Sequence, residues 1–388
     1  MTDQRLYFDY NATAPLLPEA RVALLAALAL SGNASSVHGE GRRARQSVEA
    51  ARASVGALVG ATAKAVAFTS GATEANVTVL TPHYTLAGKP LTATHLLVSS
   101  VEHPSSLKGG RFAPEATQMI PVDGDGVADL AWLAQATATI AAAGGLPLVA
   151  LQLANNETGV VQPVAEAARI VRAAGGIIHC DAVQAAGRLP IDMVALGVDT
   201  LALSAHKIGG AQGVGALVFA EGRAHPLPLL TGGGQESWRR AGTEPVAAIA
   251  AFGAAATVAR AGLAQSAELA ARRDRLQAAL LAITPQALVF ARDVDRLPNT
   301  LALAVPGVAA ETAVIAFDLA GVALSSGSAC SSGKVAASHV LKAMGIAPDL
   351  ARGGLRLSIG LATTDAEIDR FIEIWGKVMG RLATARAS

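Results

Sequence analysis

The sequence predicts an α/β protein: a large domain around a mostly parallel, seven-stranded sheet, with a smaller α+β domain beside it. Three observations carry that reading. Short apolar runs alternate with helical patterns from about residue 65 to residue 219, and several runs are apolar on both faces. Such strands belong to sheets covered by helices on both sides. After about Val246 the texture changes to long helices separated by shorter strands. Finally, 388 residues suffice for one large and one smaller domain. The expected division is 14–255 for the large domain, with 1–13 and 256–388 forming the small one.

The elements follow in order. Pro18 to Leu30 reads as a helix, with Pro and Glu in its first turn and Ser31-Gly32 as a stop. A loop at Asn33 to Ser36 leads to a helix over about Gly41 to Val59. Ala65 to Thr69 is an expected strand and Ala72 to Leu86 a helix. His95 to Ser100 and Gln118 to Val122 are strands, and Asp129 to Ala142 a helix. Leu146 to Leu153 is a strand, Val164 to Ala173 a helix, and Ile177 to Cys180, Thr200 to Leu203 and Gly215 to Phe219 are strands. In the second part, helices run from Val246 to about Leu281. Strands are expected near Ala287 to Phe290, Thr300 to Val305, Val322 to Leu324 and Leu355 to Ser358. The last helix covers about Asp365 to Ala383.

Composition narrows the function classes. Hydrophobic residues make up 52% and aromatics only 4%, so alanine-rich, close-packed helices are expected. The net charge of +1 argues against a nucleic-acid or membrane-surface protein. Mean hydropathy is +0.40. The longest uncharged apolar run, about Pro245 to Ala259, falls short of the ~18 residues a membrane span needs. No signal peptide is visible, and two cysteines, Cys180 and Cys330, do not make a disulfide framework. A cytoplasmic location is expected. No metal-ligand spacing occurs among the histidines and cysteines.

Open α/β sheets bind ligands outside the carboxyl ends of their strands, and polar residues gather at those ends here. Ser70-Gly71-Ala72-Thr73-Glu74-Ala75-Asn76 opens a helix after the first strand. Its free N–H groups and the Thr73 hydroxyl suit a phosphate, or form a plain helix cap. Glu102-His103-Pro104 follows the second strand, where His103 either stacks on a ring and moves a proton or caps the next helix. Asn155-Asn156 follows Leu146 to Leu153, as turn residues or as amides bonding a ring substituent. Asp181 ends an apolar strand and needs a partner there, either a protonated pyridinium nitrogen or the N–H groups of a following helix.

Leu203-Ser204-Ala205-His206-Lys207-Ile208-Gly209-Gly210 places a lysine just beyond a buried strand. Desolvation disfavours the ammonium and frees the amine as a nucleophile. Such an amine can form a Schiff base with an aldehyde cofactor such as pyridoxal phosphate. A second cluster, Ser325-Ser326-Gly327-Ser328-Ala329-Cys330-Ser331-Ser332-Gly333, reads as a flexible loop with an accessible cysteine. Cys180, inside an apolar strand, reads as structural. Arg356, in Gly354-Leu355-Arg356-Leu357-Ser358, either grips a carboxylate or makes an internal ion pair.

These residues carry a resemblance. The chain resembles the cysteine desulfurases, pyridoxal-phosphate enzymes of aminotransferase class V with fold type I. The likeness runs from Phe8-Asp9-Tyr10-Asn11-Ala12-Thr13-Ala14-Pro15 to the last helix. It rests on Thr69-Ser70-Gly71-Ala72-Thr73-Glu74, Glu102-His103, Asn155-Asn156-Glu157-Thr158-Gly159, Asp181-Ala182-Val183-Gln184, Ser204-Ala205-His206-Lys207, Ala241-Gly242-Thr243 and Ser325 to Cys330.

The resemblance implies that Lys207 is the Schiff-base lysine, that Asp181 pairs the pyridine nitrogen and that His103 stacks on the ring. It implies ring contacts from Asn156 and Gln184, and phosphate contacts from Ala72, Thr73, Ser204 and His206. Thr243 would reach the phosphate of a neighbouring subunit, which implies a homodimer. Arg356, with Asn156, would hold the carboxylate of L-cysteine. Cys330 would take the sulfur as a persulfide and pass it to an acceptor protein, an iron–sulfur scaffold or another persulfide acceptor. The catalytic set is then Lys207, Cys330 and His103, with no metal. The Ser-Ser-Gly-Ser-Ala-Cys setting is similar to that of the nitrogen-fixation and housekeeping group. The chain departs from the commoner family pattern at Asp9 to Pro15, with Val183 and Ala205 where threonine and glycine are common. It ends soon after its last helix, without the tail some housekeeping members use to dock a scaffold.

Two other activities share this fold, a selenocysteine lyase and an aminotransferase, and the second would not need Cys330. A reading of another class is a non-catalytic sulfur-relay or scaffold paralogue, which would be expected to lack Lys207 or Asp181.

Overall fold

A computed structural model describes residues 5–327 and 338–387. The strands of the large sheet run in the order Val66–Thr69, Gly215–Phe219, Thr200–Ser204, Ile177–Asp181, Pro147–Ala150, His95–Ser99, Thr117–Ile120. Gly215–Phe219 is antiparallel to both its neighbours and every other pairing is parallel. Alternate residues of these strands feed two separate cores. Leu97, Val149, Ile178, Leu201 and Val218 pack on one face, while Leu96, Val98, Leu148, Ala202 and Leu217 pack on the other. That two-sided burial is why the strands read as continuous apolar runs.

The first face is covered by the helices Pro18–Leu28, Gly39–Leu58 and Val246–Gly262, which pack on one another. Small residues allow the close approach: a Cβ on Gly253 would lie 2.5 Å from the Ala51 Cα. The stretch Val246–Ile283 is long and apolar enough to cross a membrane by length and composition alone. The sequence reading stopped this run at Ala259 because it counted uncharged residues only and Arg260 follows. Its first helix is a core element, since Ile249, Ala251, Phe252, Ala255 and Ala256 are fully buried against the sheet.

The smaller unit holds an antiparallel sheet in the order Leu288–Val289, Thr300–Ala304, Leu355–Ser358, Ser325–Ser326. The N-terminal strand Leu6–Tyr7 pairs in parallel with Val322–Ala323. Asp9 then bridges to Ser358. The chain therefore begins in the small unit and crosses to the large one near Asn11. Phe8, Phe317, Phe371 and Trp375 form a stacked aromatic core, with Phe8 and Phe371 ring centroids 4.5 Å apart. The indole of Trp375 donates to the Thr284 hydroxyl at 3.0 Å.

Two expectations are corrected. The helix expected over Ala72 to Leu86 ends at Val79, because Pro82 carries no N–H and disfavours helix before it. A hairpin follows, His83–Leu86 with Lys89–Thr92, turned by Ala87 and Gly88, both at positive φ. Ser325–Ser326, read as the start of a loop, forms an edge strand against Leu355–Arg356.

The aromatic core sets the first prediction. Phe371→Ala should cost about 3–5 kcal/mol in urea unfolding, the usual loss for a buried ring. Leu319→Ala, on a side chain 83% exposed, should cost less than about 0.5 kcal/mol.

Candidate active site

Six sheet strands end on one side, and the antiparallel strand begins there. Gly215 sits opposite Ser204 on one side and Thr69 on the other. A Cβ at Gly215 would lie 2.6 Å from the Leu203 carbonyl oxygen and 2.7 Å from the Gly71 Cα. The missing side chain lets the turn before helix Ala72–Val79 settle directly on the sheet edge. Around it opens a cleft of about 530 Å³, lined by residues from five strand ends and from the N-terminal crossing.

Ala72 and Thr73 line this cleft at the start of their helix. Gly71 occupies the N-cap position and offers no side chain, so the first-turn N–H groups face the cleft uncapped. Ser204 and His206 lie beside them. Burial, with the neighbouring Lys207, pushes the His206 imidazole down to about 4, so it is neutral near pH 7. Glu74 would oppose an anion here, but Arg240 pairs with it at 3.0 Å and the Ser70 N–H donates to it at 2.7 Å.

Lys207 closes the other side. Its ammonium donates to the Asn11 carbonyl at 2.6 Å and to the Ala12 carbonyl at 2.9 Å. Gln184 donates to the same Asn11 carbonyl at 3.0 Å and accepts from Arg188 at 2.7 Å. Arg188 is buried and desolvation lowers it to about 10; its second amino group reaches the Tyr10 and Lys207 carbonyls. A Cβ on Gly360 would overlap the Tyr10 ring at 2.0 Å. Only glycine lets the crossing strand pass there.

Asp181 lies at the cleft floor, and both its oxygens accept hydrogen bonds: Oδ1 from the Val183 N–H at 3.0 Å and Oδ2 from the Asn76 amide at 2.8 Å. His103 lines the wall, and its helix-cap reading holds. Its Nδ1 caps the short helix Pro104–Leu107 by accepting from the Ser105 N–H, while the ring borders the cleft. Desolvation lowers its basicity, with Lys207 and His339 adding to that and Asp181 opposing it.

Asn155 is the turn residue, its Oδ1 accepting from the Glu157 and Thr158 N–H groups. Asn156 lines the cleft, and its buried Oδ1 has no partner among the described residues. Arg356 is 3% exposed. It donates to the Asp9 carboxylate at 2.7 Å and to the Asn156 carbonyl at 2.9 Å. The internal ion pair therefore exists, yet Nε is buried with no partner among the described residues.

Two expected residues stand apart. Thr243 is exposed and does not line the cleft; it borders a neighbouring hollow that shares Ser70 and Gly213. Its segment follows three consecutive non-glycine residues at positive φ, Glu236, Ser237 and Trp238, a strained turn held by the buried Glu236–Arg52 pair. Cys330 lies outside the described residues. Gly327 and Ser338, which flank that stretch, both meet Glu157: Ser338 donates to its carboxylate at 2.5 Å, and a Cβ on Gly327 would lie 3.0 Å from it. Cys180 is fully buried, and burial raises its thiol well above the ordinary range.

Sequence reasoning missed Asn11 and Ala12, whose contribution is backbone carbonyls with no side-chain signature. It also missed Gln152, Ser105, Asn76 and His179. The last two had a signal: His179 shares a strand face with Asp181, and Asn76 lies one turn from Ala72 and Thr73.

Comparison with known proteins fits this geometry. The model of the family "Aminotransferase class-V" matches residues 6–371, and the chain belongs to that family. A cysteine desulfurase of Cereibacter sphaeroides is 41% identical over 386 residues, covering 98% of this chain and 97% of that protein. The "Cysteine desulfurase IscS" of Anaeromyxobacter sp. (strain Fw109-5) is 41% identical over 382 residues, covering 95% and 91%. The X-ray structure of a NifS-like protein from Rickettsia africae ESF-5 superposes with a TM-score of 0.86 at 31% identity, covering 97% of this chain and all of that one. Within its family the chain is a pyridoxal-phosphate-dependent cysteine desulfurase that acts on L-cysteine, with the fold-type-I architecture the sequence predicted.

The residues present fit pyridoxal phosphate. Uncapped helix N–H groups suit its phosphate, the twice-bonded Asp181 carboxylate suits a protonated ring nitrogen, and the orphaned Asn156 Oδ1 awaits a polar partner inside the cleft.

Glu102 provides a prediction from this geometry. Burial, with Asp181 nearby, pushes its carboxyl from the ordinary 4.5 up to about 8. Between those values the folded protein keeps a proton that the unfolded chain has released. Stability from this group is therefore full below pH 4.5 and is lost as pH rises through about 8, at about 1.4 kcal/mol per pH unit. Relative to Glu102→Gln, the parent should lose a few kcal/mol of unfolding free energy between pH 5 and pH 9. Parallel pH profiles for the two proteins would contradict this.

Proposed function

We propose that Lys207, His103, Asp181 and Arg356 divide the desulfurase reaction among them and that Cys330 receives the sulfur. The observation that carries this reading is their convergence: four of these residues, from four separate strand regions, line one cleft. When bound, pyridoxal phosphate supplies the aldehyde that engages the amino group of cysteine and a ring that accepts the electron pair from its Cα.

The chain's own residues do the rest. Thr73, Ser204, His206 and the N–H groups at Ala72 and Thr73 hold the phosphate. Asp181 holds the proton on the ring nitrogen, His103 stacks on the ring face, and Asn156 and Gln184 orient the ring's polar edge. Arg356 keeps its Asp9 contact and turns Nε toward the substrate carboxylate. Lys207 moves the proton at the substrate Cα, and the neutral His103 imidazole offers a proton from Nε2 rather than accepting one. The Cys330 thiolate forms a bond to the substrate sulfur as the Cβ–S bond breaks, leaving a persulfide on the chain and alanine as product.

The persulfide then passes to an acceptor protein, an iron–sulfur scaffold or another thio-cofactor route, in the cytoplasm. A homodimer is part of this reading, with Thr243 serving the phosphate of the second subunit. It is supported by Thr243 standing outside its own cleft and by the exposed apolar side chains Val22, Leu25, Leu28 and Trp238. The division at 14–255 remains our proposal for the domains, with Leu6 and Phe8 packing among the residues of the small one.

The test measures alanine formed from L-cysteine with a reductant. Cys330→Ala should abolish product while keeping the yellow bound cofactor; equal turnover would point to an aminotransferase or another lyase. Arg356→Gln should raise KM for L-cysteine about tenfold or more with the cofactor absorbance intact.

A further inference from the structure

A buried polar chain lies beneath the cleft and meets its lining at Asp181, Ser105 and His103. Asn76 is its centre, fully buried on helix Ala72–Val79. Its Nδ2 donates to Asp181 Oδ2 at 2.8 Å and to Ser105 Oγ at 2.9 Å. Its Oδ1 lies 2.9 Å from His179 Nε2. His179 Nδ1 lies 2.9 Å from the Thr200 hydroxyl, its register partner on the next strand. Ser105 Oγ lies 2.8 Å from His103 Nδ1.

The direction of every bond in this chain follows from one fact. The Asp181 oxygen can only accept, so the Asn76 amide must present NH₂ to it. The reversed amide would set two oxygens against each other at 2.8 Å in a dry interior. With NH₂ committed to Asp181 and Ser105, the Asn76 oxygen faces His179, which must carry its proton on Nε2. Its Nδ1 then accepts from the Thr200 hydroxyl. On the other branch, Ser105 Oγ accepts from Asn76 and spends its own proton on His103 Nδ1. The Ser105 backbone N–H also points to that nitrogen, at 3.2 Å. His103 Nδ1 is thus an acceptor twice over, and the single proton of the neutral ring sits on Nε2.

We infer that Asn76, oriented by His179, is a positioning residue of this active site: one amide fixes the Asp181 carboxylate and, through Ser105, the tautomer of His103. The two cofactor-facing groups are thereby coupled through a residue that does not line the cleft. Burial supports this, since desolvation pushes His179 down to about 4 and keeps it neutral at working pH. The role rests on the reading that Asp181 and His103 serve the cofactor.

Three measurements on the full-length, cofactor-loaded protein test it. Nitrogen-15 NMR of ring-labelled histidines should find His103 and His179 both unprotonated at Nδ1 and protonated at Nε2; a proton on Nδ1 of either ring overturns the relay. Asn76→Leu should lower kcat about tenfold or more, leave KM for L-cysteine within about twofold and shift the visible absorption of the bound cofactor. Unchanged kcat and absorption in Asn76→Leu, beside an impaired Asp181→Asn, overturns the relay alone. Unchanged Asp181→Asn overturns the site reading and the relay with it. If Asn76→Leu does not fold, His179→Phe and His179→Gln decide. Gln can donate to the Asn76 oxygen and should keep kcat where Phe loses it; equal behaviour of the two overturns the relay.

Discussion

The structure depends on how the amine of Lys207 is held. Two backbone carbonyls, Asn11 and Ala12, accept from it within 2.9 Å, and both belong to the N-terminal crossing rather than to the large sheet. That crossing is anchored at its start by pairing with Val322–Ala323 and by the Asp9–Arg356 ion pair. It is anchored at its end by the Ala14 N–H donating to the His206 carbonyl at 2.8 Å. Lys207, Arg356 and the small unit are therefore tied by one short segment.

Placing this many polar groups at the edge of an apolar sheet is costly unless each is satisfied. Most are: Asp181, Gln184, Arg188, His103 and His179 each have at least one partner within the protein. Among the described residues, the exceptions in the cleft are Asn156 Oδ1 and Arg356 Nε. Both lie at the side of the cleft where Arg356, from the small sheet, meets the Asn156 turn of the large one. Burial keeps His206 neutral, and desolvation lowers the basicity of His103.

Much of this was legible in the sequence, and the reasons differ by residue. Most of the seven strands were readable because they are buried on two faces and bounded by glycine or polar residues; the edge strand Thr117–Ile120 buries only Ile120 fully. Lys207, Asp181, His103 and Asn156 were readable because a titratable or amide side chain at an apolar strand end has few inexpensive explanations. The hairpin after Val79 was not, because Ala87-Gly88 gives a weaker turn signal than Asn-Gly and His83 to Thr92 has little alternation. The grip on Lys207 was invisible, since carbonyls carry no residue identity. For Arg356 the two readings proved compatible, because a guanidinium has donors enough for an ion pair and a ligand together. Cys330 lies outside the described residues, and Thr243 stands outside its own cleft, so for both the sequence motif remains the stronger statement.

We propose that this cleft delivers the amine of Lys207 to the aldehyde of pyridoxal phosphate. The most direct measurement is borohydride reduction of the yellow protein, followed by digestion and mass spectrometry of the pyridoxyl-modified peptides. The account predicts a single modified site, on the peptide containing Ser204-Ala205-His206-Lys207, at Lys207. Modification at another lysine, or none in a protein that retains its colour, would contradict it.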